Sequence, residues 1–191
     1  MSLDITVQNI VATVSFKKEL SMYTLERNLS DSFYAPRQFP GLIYRMEKPK
    51  ITALIFRSGK SVLAGAKSVD EIIQGTKKLV KVFRKSGIEI TERPVIQIQN
   101  IVATSHFDRS INLEKVALVL DNVIYEPEQF PGLLYKMEKP KAVLLLFGSG
   151  KVVIAGAKRE EDIREALKTA FNTLTEKGCF LNEQQEELPG S

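Results

Sequence analysis

Residues 38–50 read QFPGLIYRMEKPK, and residues 129–141 read QFPGLLYKMEKPK, an offset of 91 residues. QNIVAT at 8–13 recurs at 99–104, and SGKSVLAGAK at 58–67 recurs as SGKVVIAGAK at 149–158, both at that same offset. Three anchors in one register need no gap from Ile5 to Glu92, so the chain is a tandem duplication. The period is longer than the roughly 20–50 residues of solenoid and propeller repeats. Two copies of one compact unit imply a pseudo-twofold object instead. Such an object suits a partner with its own approximate twofold symmetry, and duplex DNA is one.

Each copy reads β-α-β-β-β-β-α. Ile5–Phe16 is rich in Val, Ile and Thr, as a strand is. Leu20–Leu29 has helical spacing, and a short strand follows at Ser32–Tyr34. Leu42–Met46, Ile51–Phe56 and Ser61–Ala66 read as three further strands, with Lys48-Pro49 and the hairpin tip Ser58-Gly59-Lys60 between them. A helix is expected over Val69–Lys85, with Ser68 as N-cap, Glu71 at its third position and Gly87 beyond its end. Its stripe is Ile72, Ile73, Leu79, Val80 and Phe83. The second copy repeats this order, with its long helix over Arg159–Lys177. The boundaries are 5–92 and 96–182, followed by an acidic, flexible tail at 183–191.

Composition narrows the function. The 191 residues are 43% hydrophobic and 26% charged, as in a globular protein. No apolar run approaches the roughly 18 residues of a membrane span, and MSLDITVQNI has no secretory pattern. The reading is intracellular. One cysteine, Cys179, and one histidine, His106, build neither a disulfide nor a usual zinc site, and no cofactor is expected. Cys179 reads as a small apolar side chain and His106 as a surface or capping residue. Gly59-Lys60-Ser61 resembles the end of a phosphate-binding loop, but Leu54 stands where its first glycine belongs and no helix follows. No nucleophile, base and acid recur together in both copies, so the chain is not read as an enzyme. A net charge of +4 points to a polyanionic partner.

A sheet covered by helices on one side normally alternates apolar with polar. These strands are apolar on both faces. Ile10, Ala12 and Val14 face one side, and Asn9, Val11 and Thr13 the other. Leu54, Phe56, Val62 and Ala64 oppose Ile55 and Leu63, and the second copy runs AVLLLF at 142–147. Either the second face is buried by the other copy, or it is an open apolar surface for a partner. Its rim carries Arg45, Lys48, Lys50, Lys60 and Lys67, with their mates Lys136, Lys139, Lys141, Lys151 and Lys158. An apolar centre with a cationic rim fits the minor groove, where sugars and base edges lie between two phosphate rails.

QNIVAT, FPGLIYRM, EKPK, LIF-x-SGK and GAK at these offsets, in a double unit, resemble the TATA-binding protein family. The resemblance spans residues 5–180, and the short N-terminus and acidic tail are similar to its archaeal form. It implies an α+β fold: a saddle-shaped pseudo-twofold repeat whose ten-stranded curved antiparallel sheet carries four helices on its convex face. It implies a general transcription initiation factor that binds a T/A-rich promoter element in the minor groove, bends it, and recruits the B-class initiation factor and RNA polymerase.

By that resemblance, Phe39 with Phe56 and Phe130 with Phe147 are intercalating pairs, each wedged into a base step. Phe39 and Phe130, before Pro-Gly in a loop, are in any case oddly placed for core residues. Asn9 and Asn100 match the asparagines that bond minor-groove acceptors. Val11, Val102, Val62, Val153, Leu54 and Leu145 match the apolar floor. Arg45, Lys136, Lys60, Lys151, Lys67, Lys158, Ser58 and Ser149 match phosphate contacts. Ala64 and Ala155 depart from the family, which commonly has threonine there, and remove two hydroxyls from the central floor.

The copies differ in charge. Residues 5–92 hold 15 Lys and Arg against 8 Asp and Glu, a net +7; residues 96–183 hold 11 against 12, a net −1. The first long helix carries Lys77, Lys78, Lys81, Arg84 and Lys85, which suits a regulator or nearby DNA. YAPRQF in the first copy becomes YEPEQF in the second. The family docks its B-class factor on that second loop, so the resemblance makes Glu126 and Glu128 the candidates. Two rival readings are a protein–protein module dimerising through its apolar face and a saddle-shaped accessory domain of an enzyme. The repeat fills the chain and leaves no catalytic domain beside it, which counts against the second rival.

Overall fold

The computed structural model describes residues 3–182; the tail expected over 183–191 lies outside them. By contacts the chain forms two units, one of Val7–Asn100 and one from Ile101 onward that includes the residues before Val7. The first copy comprises β1 (Thr6–Ser15), α1 (Met22–Asn28), β2 (Ser32–Phe33), β3 (Leu42–Glu47), β4 (Lys50–Ile55), β5 (Lys60–Ala66) and α2 (Val69–Lys85). The second comprises β6 (Val95–His106), α3 (Leu113–Val119), β7 (Val123–Ile124), β8 (Leu133–Glu138), β9 (Lys141–Leu146), β10 (Lys151–Ala157) and α4 (Glu160–Glu176). The hydrogen-bonded order is β2-β3-β4-β5-β1 in one copy and β6-β10-β9-β8-β7 in the other, antiparallel in each. With four helices this is the expected α+β class.

One face of each strand is sealed. Ile10, Ala12, Val14, Ile51, Ala53, Ile55 and Leu63 are buried in the first unit, as are Ile72, Leu79 and Phe83 of α2. Phe16 meets Phe83 edge-on, their centroids 4.9 Å apart. In the second unit Ile101, Ala103, Leu144, Leu146 and Ile154 are buried together with Ile163, Leu167 and Leu174 of α4. Phe107, Phe171 and Phe180 close one end of that core, with the Arg109 guanidinium 4.6 Å over the Phe180 ring. Cys179 is buried there, and desolvation raises its thiol pKa against the pull of Lys115 and Lys177. An inert, small apolar residue is what remains.

Local chemistry sets the helix ends. Ser68 Oγ accepts the Glu71 N–H at 3.2 Å, and Glu71 Oε2 reaches back to accept the Lys67 N–H at 2.7 Å, so two otherwise orphaned donors are satisfied. α4 has no such cap: Arg159 occupies that position and instead grips the Asp162 carboxylate at 2.7 Å. That bond holds the Asp162 carboxyl below the usual range. α1 begins later than the expected Leu20: Ser21 is still extended as its N-cap, and the Leu20 N–H bonds Arg57 O of the neighbouring hairpin. Gly59, at φ +85°, closes that hairpin where a β-carbon would collide with Lys18 O.

The expected stripe of α2 is two stripes. Ile72, Leu79 and Phe83 are buried, whereas Ile73 and Val80 are not. Those two line a cavity of about 550 Å³ with Thr76, Lys77, Lys81, Arg84, Arg93, Pro94 and Ile96. The spacing alone could not separate them, because i and i+1 positions both fall within a wide apolar arc.

Leu63 lies mid-strand in β5, fully buried. Leu63→Ala should lower unfolding stability by about 2–5 kcal/mol in a urea titration, while exposed Arg37→Ala stays within about 0.5 kcal/mol.

Candidate nucleic-acid interface

The other face of the sheet is half-buried, residue after residue. Along β1 the pattern alternates from Ile10, and Val11 and Thr13 take the open side. Register assembles these side chains into rows across the first unit. Ile43 pairs Leu54, Leu54 pairs Val62, and Val62 pairs Thr13. The next row runs Arg45, Thr52, Ala64, Val11. In the second unit the first row recurs as Leu134, Leu145, Val153, Thr104, and the next as Lys136, Val143, Ala155. Val102 is half-buried on β6. The face is thus a floor of aliphatic side chains with a cation at the outer end of one row. Its side chains keep part of their surface in solvent, unlike the sealed face.

Each unit ends its floor with two aromatic rings. Phe39 and Phe56 stand edge-on with centroids 5.9 Å apart and planes at 68°. Phe130 and Phe147 repeat this at 5.9 Å and 71°. Phe39 and Phe130 are 37% and 47% exposed, unusual for so large an apolar ring. Antiparallel pairing explains the juxtaposition. The loop before β3 and the β4–β5 tip fall at the same end of the strands, since Leu42 pairs Ile55 and Ile55 pairs Ser61. Backbone bonds then fix both bases. Ala35 O accepts from Gln38 N and Phe39 N, and Phe56 N donates to Lys60 O. Glu126 O and Lys151 O do the same for Phe130 and Phe147.

Asn9 puts an amide on this face beside the threonines. Its Oδ1 accepts the Gly65 N–H at 2.8 Å, where the β1–β5 register shifts between Ile10 and Val11. A backbone N–H can only donate, so the amide orientation is fixed. With its oxygen engaged, what the side chain offers a ligand is the Nδ2 donor pair. Asn100, its mate in the repeat, is likewise half-buried. Gln99 Nε2 donates to Thr13 Oγ1 at 3.0 Å.

The remaining candidates sit at the margins. Ser58 and Ser149, on the two hairpin tips, accept the Lys60 and Lys151 N–H groups at 3.4 and 3.3 Å, which leaves each hydroxyl hydrogen to a ligand. Lys60, Lys67, Lys151 and Lys158 are exposed, as are Arg45 and Lys136. Glu126 and Glu128 are exposed on the loop before β8. Lys48 and Lys50 lie at the far end of the strands, where Glu47 pairs Lys50, and Lys48 O takes the Lys78 ammonium at 3.4 Å. Among the described residues no group of His, Cys, Asp and Glu could hold a metal, and no helix is long and apolar enough to cross a membrane.

The family model described as transcription factor TFIID, or TATA-binding protein, matches residues 4–86 and again 95–177. The chain belongs to the TATA-binding protein family. It is 50% identical over 184 residues to the TATA-box-binding protein of Sulfolobus acidocaldarius, covering 96% of this chain and 93% of that one. It is 51% identical over 168 residues to that of Pyrodictium occultum, covering 88% and 84%. The solved structure of Methanococcus jannaschii TBP superposes with a TM-score of 0.86 at 44% identity, covering 91% of this chain and 99% of that one. The family is named for transcription factors, not enzymes.

Three features of the site escaped sequence reasoning. The Gly65 N–H that orients Asn9 and the Gln99–Thr13 bond both join residues far apart in the chain. The contact of Gly41 and Gly132 with the aromatic pairs was signalled only as Pro-Gly turns. Asn9→Asp keeps an acceptor for Gly65 and should leave urea stability within about 0.5 kcal/mol. Asn9→Leu should lose about 1 kcal/mol, the worth of that hydrogen bond. Equal stability of the two variants would contradict the assigned amide orientation.

Proposed function

We propose that the chain is a general transcription initiation factor that binds A/T-rich promoter DNA through the minor groove and bends it. One observation carries the reading: a half-buried aliphatic floor, closed at its end by two aromatic rings, with a central amide left only donors to offer. Minor-groove edges of A·T and T·A present only acceptors, whereas G·C adds the guanine 2-amino donor. Donors from Asn9 and Asn100 meet the first and not the second. The floor of Val11, Leu54, Val62, Val102, Leu145 and Val153 gives the 2-amino group no acceptor, and a buried unpaired donor costs about 1–3 kcal/mol. Ala64 and Ala155 add methyl groups and no hydroxyl where they stand, so base reading there falls to the asparagines.

Phe39 with Phe56, and Phe130 with Phe147, each enter a base step. Unstacking a step costs about a few kcal/mol, offset by the surface that a bend brings into contact. Arg45, Lys60, Lys67, Lys136, Lys151 and Lys158 neutralise phosphates, and Ser58 and Ser149 donate to them. Glu126 and Glu128 form the docking site for the B-class initiation factor, which then brings RNA polymerase. Two carboxylates where the first copy has Ala35 and Arg37 repel nearby phosphate and favour a basic protein surface. The exposed aromatic rings favour a second state: off DNA, two molecules cover their apolar faces against one another.

Six phosphate contacts predict that log K falls with log[salt] at a slope of about −5. Lys67→Ala with Lys158→Ala should flatten it by about 2. Phe130→Ala with Phe147→Ala should reduce the change in end-to-end energy transfer on a short TATA-containing duplex. A bend insensitive to both rings would place the kink elsewhere. A salt-insensitive dimer that binds no DNA would leave the face to a protein partner.

A further inference from the structure

Gly41 and Gly132 lie beneath the aromatic pairs, and nothing in their backbone requires glycine. Neither is among the residues at positive φ. Their lack of a side chain answers to something else. A β-carbon on Gly41 would stand 2.6 Å from Phe39 Cε1 and 3.0 Å from Phe56 Cε1. On Gly132 it would stand 2.7 Å from Phe130 Cε1 and 3.1 Å from Phe147 Cε1. Carbon atoms rest at about 3.5–4.0 Å. Both rings of each pair therefore lie against the bare Cα of their own glycine, and the arrangement is the same in the two copies.

We infer that Gly41 and Gly132 are positioning residues: each is the seat on which a wedge pair is preformed before DNA arrives. This rests on the proposed function. The backbone of all four phenylalanines is tied by hydrogen bonds, so side-chain rotation is the freedom that remains to the rings. An exposed ring would sample several rotamers and lose that freedom on intercalation. A seat without a side chain lets the first ring lie close against the chain and meet the second edge-on, as both pairs do. An alanine methyl occupies the seat. The partly exposed ring then swings outward, and the pair parts while the fold persists.

Gly41→Ala, Gly132→Ala and both together should melt close to wild type. Each should weaken binding of a short TATA duplex by about two- to tenfold, the cost of one or two reordered side chains, and reduce the energy-transfer change on bending. In the free protein, the Gly41 and Gly132 Hα resonances should be shifted by the ring currents of Phe39 and Phe130. Phe39→Leu with Phe56→Leu removes both Cε1 atoms that the new methyl meets, so Gly41→Ala should cost nothing further in that background. An equal loss in both backgrounds, or unshifted Hα resonances, would overturn the seat. A wild-type protein that bends DNA and glycine variants that bend it as well would overturn it and leave the proposed function standing. A wild type that neither binds nor bends would overturn the proposed function, and the seat with it.

Discussion

Burial of Ile10, Ala12, Val14, Ile55 and Leu63 with Ile72, Leu79 and Phe83 holds the first unit together, and the same layer recurs in the second. The rest of the molecule depends on its being one layer only. A strand has two faces, and the long helices cover one. Because the uncovered face is also aliphatic, the fold leaves a surface that water does not favour and that no other element of the sheet's own unit occupies. Stability comes from the sealed layer, so the open layer is free to be shaped for a ligand. That separation of roles explains how a sequence apolar on both strand faces still gives a well-formed sheet.

Duplication kept one geometry and let the surroundings diverge. The aromatic pairs agree in centroid distance and nearly in angle between the copies, and so do the glycines beneath them. The solvent side did not stay equivalent. Ile73 and Val80 of α2, which line a basic cavity, correspond through the 91-residue offset to Arg164 and Phe171 of α4. Phe171 stacks toward Phe107 and Phe180 instead of lining a groove. With net charges of +7 and −1, the copies offer a symmetric ligand the same face and asymmetric partners different ones.

The sequence disclosed whatever is local or repeated. Strand and helix order followed from alternation, caps and turn residues, and α2 runs over Val69–Lys85 as its Ser68 cap and Gly87 stop require. The open face was legible as apolar residues on both sides of QNIVAT and TALIF, although its being uncovered was not. Long-range register was out of reach. Nothing in QNIVAT says that Asn9 meets Gly65, because that bond joins residues 56 apart, beside the register shift between Ile10 and Val11. The division of the α2 stripe was also hidden, since it turns on where Arg93, Pro94 and Ile96 return to the helix.

On the proposed function, this chain reads DNA from the minor groove with donors and an aliphatic floor. The direct test is binding to three duplexes: an A/T site, the same site with its A·T pairs replaced by inosine·cytosine, and the same with guanine·cytosine. Inosine lacks the 2-amino group, so its pair resembles A·T in the minor groove and G·C in the major groove. Minor-groove reading predicts that the inosine site binds like A/T and the guanine site far more weakly. An inosine site that binds as poorly as the guanine site would place recognition in the major groove and contradict it.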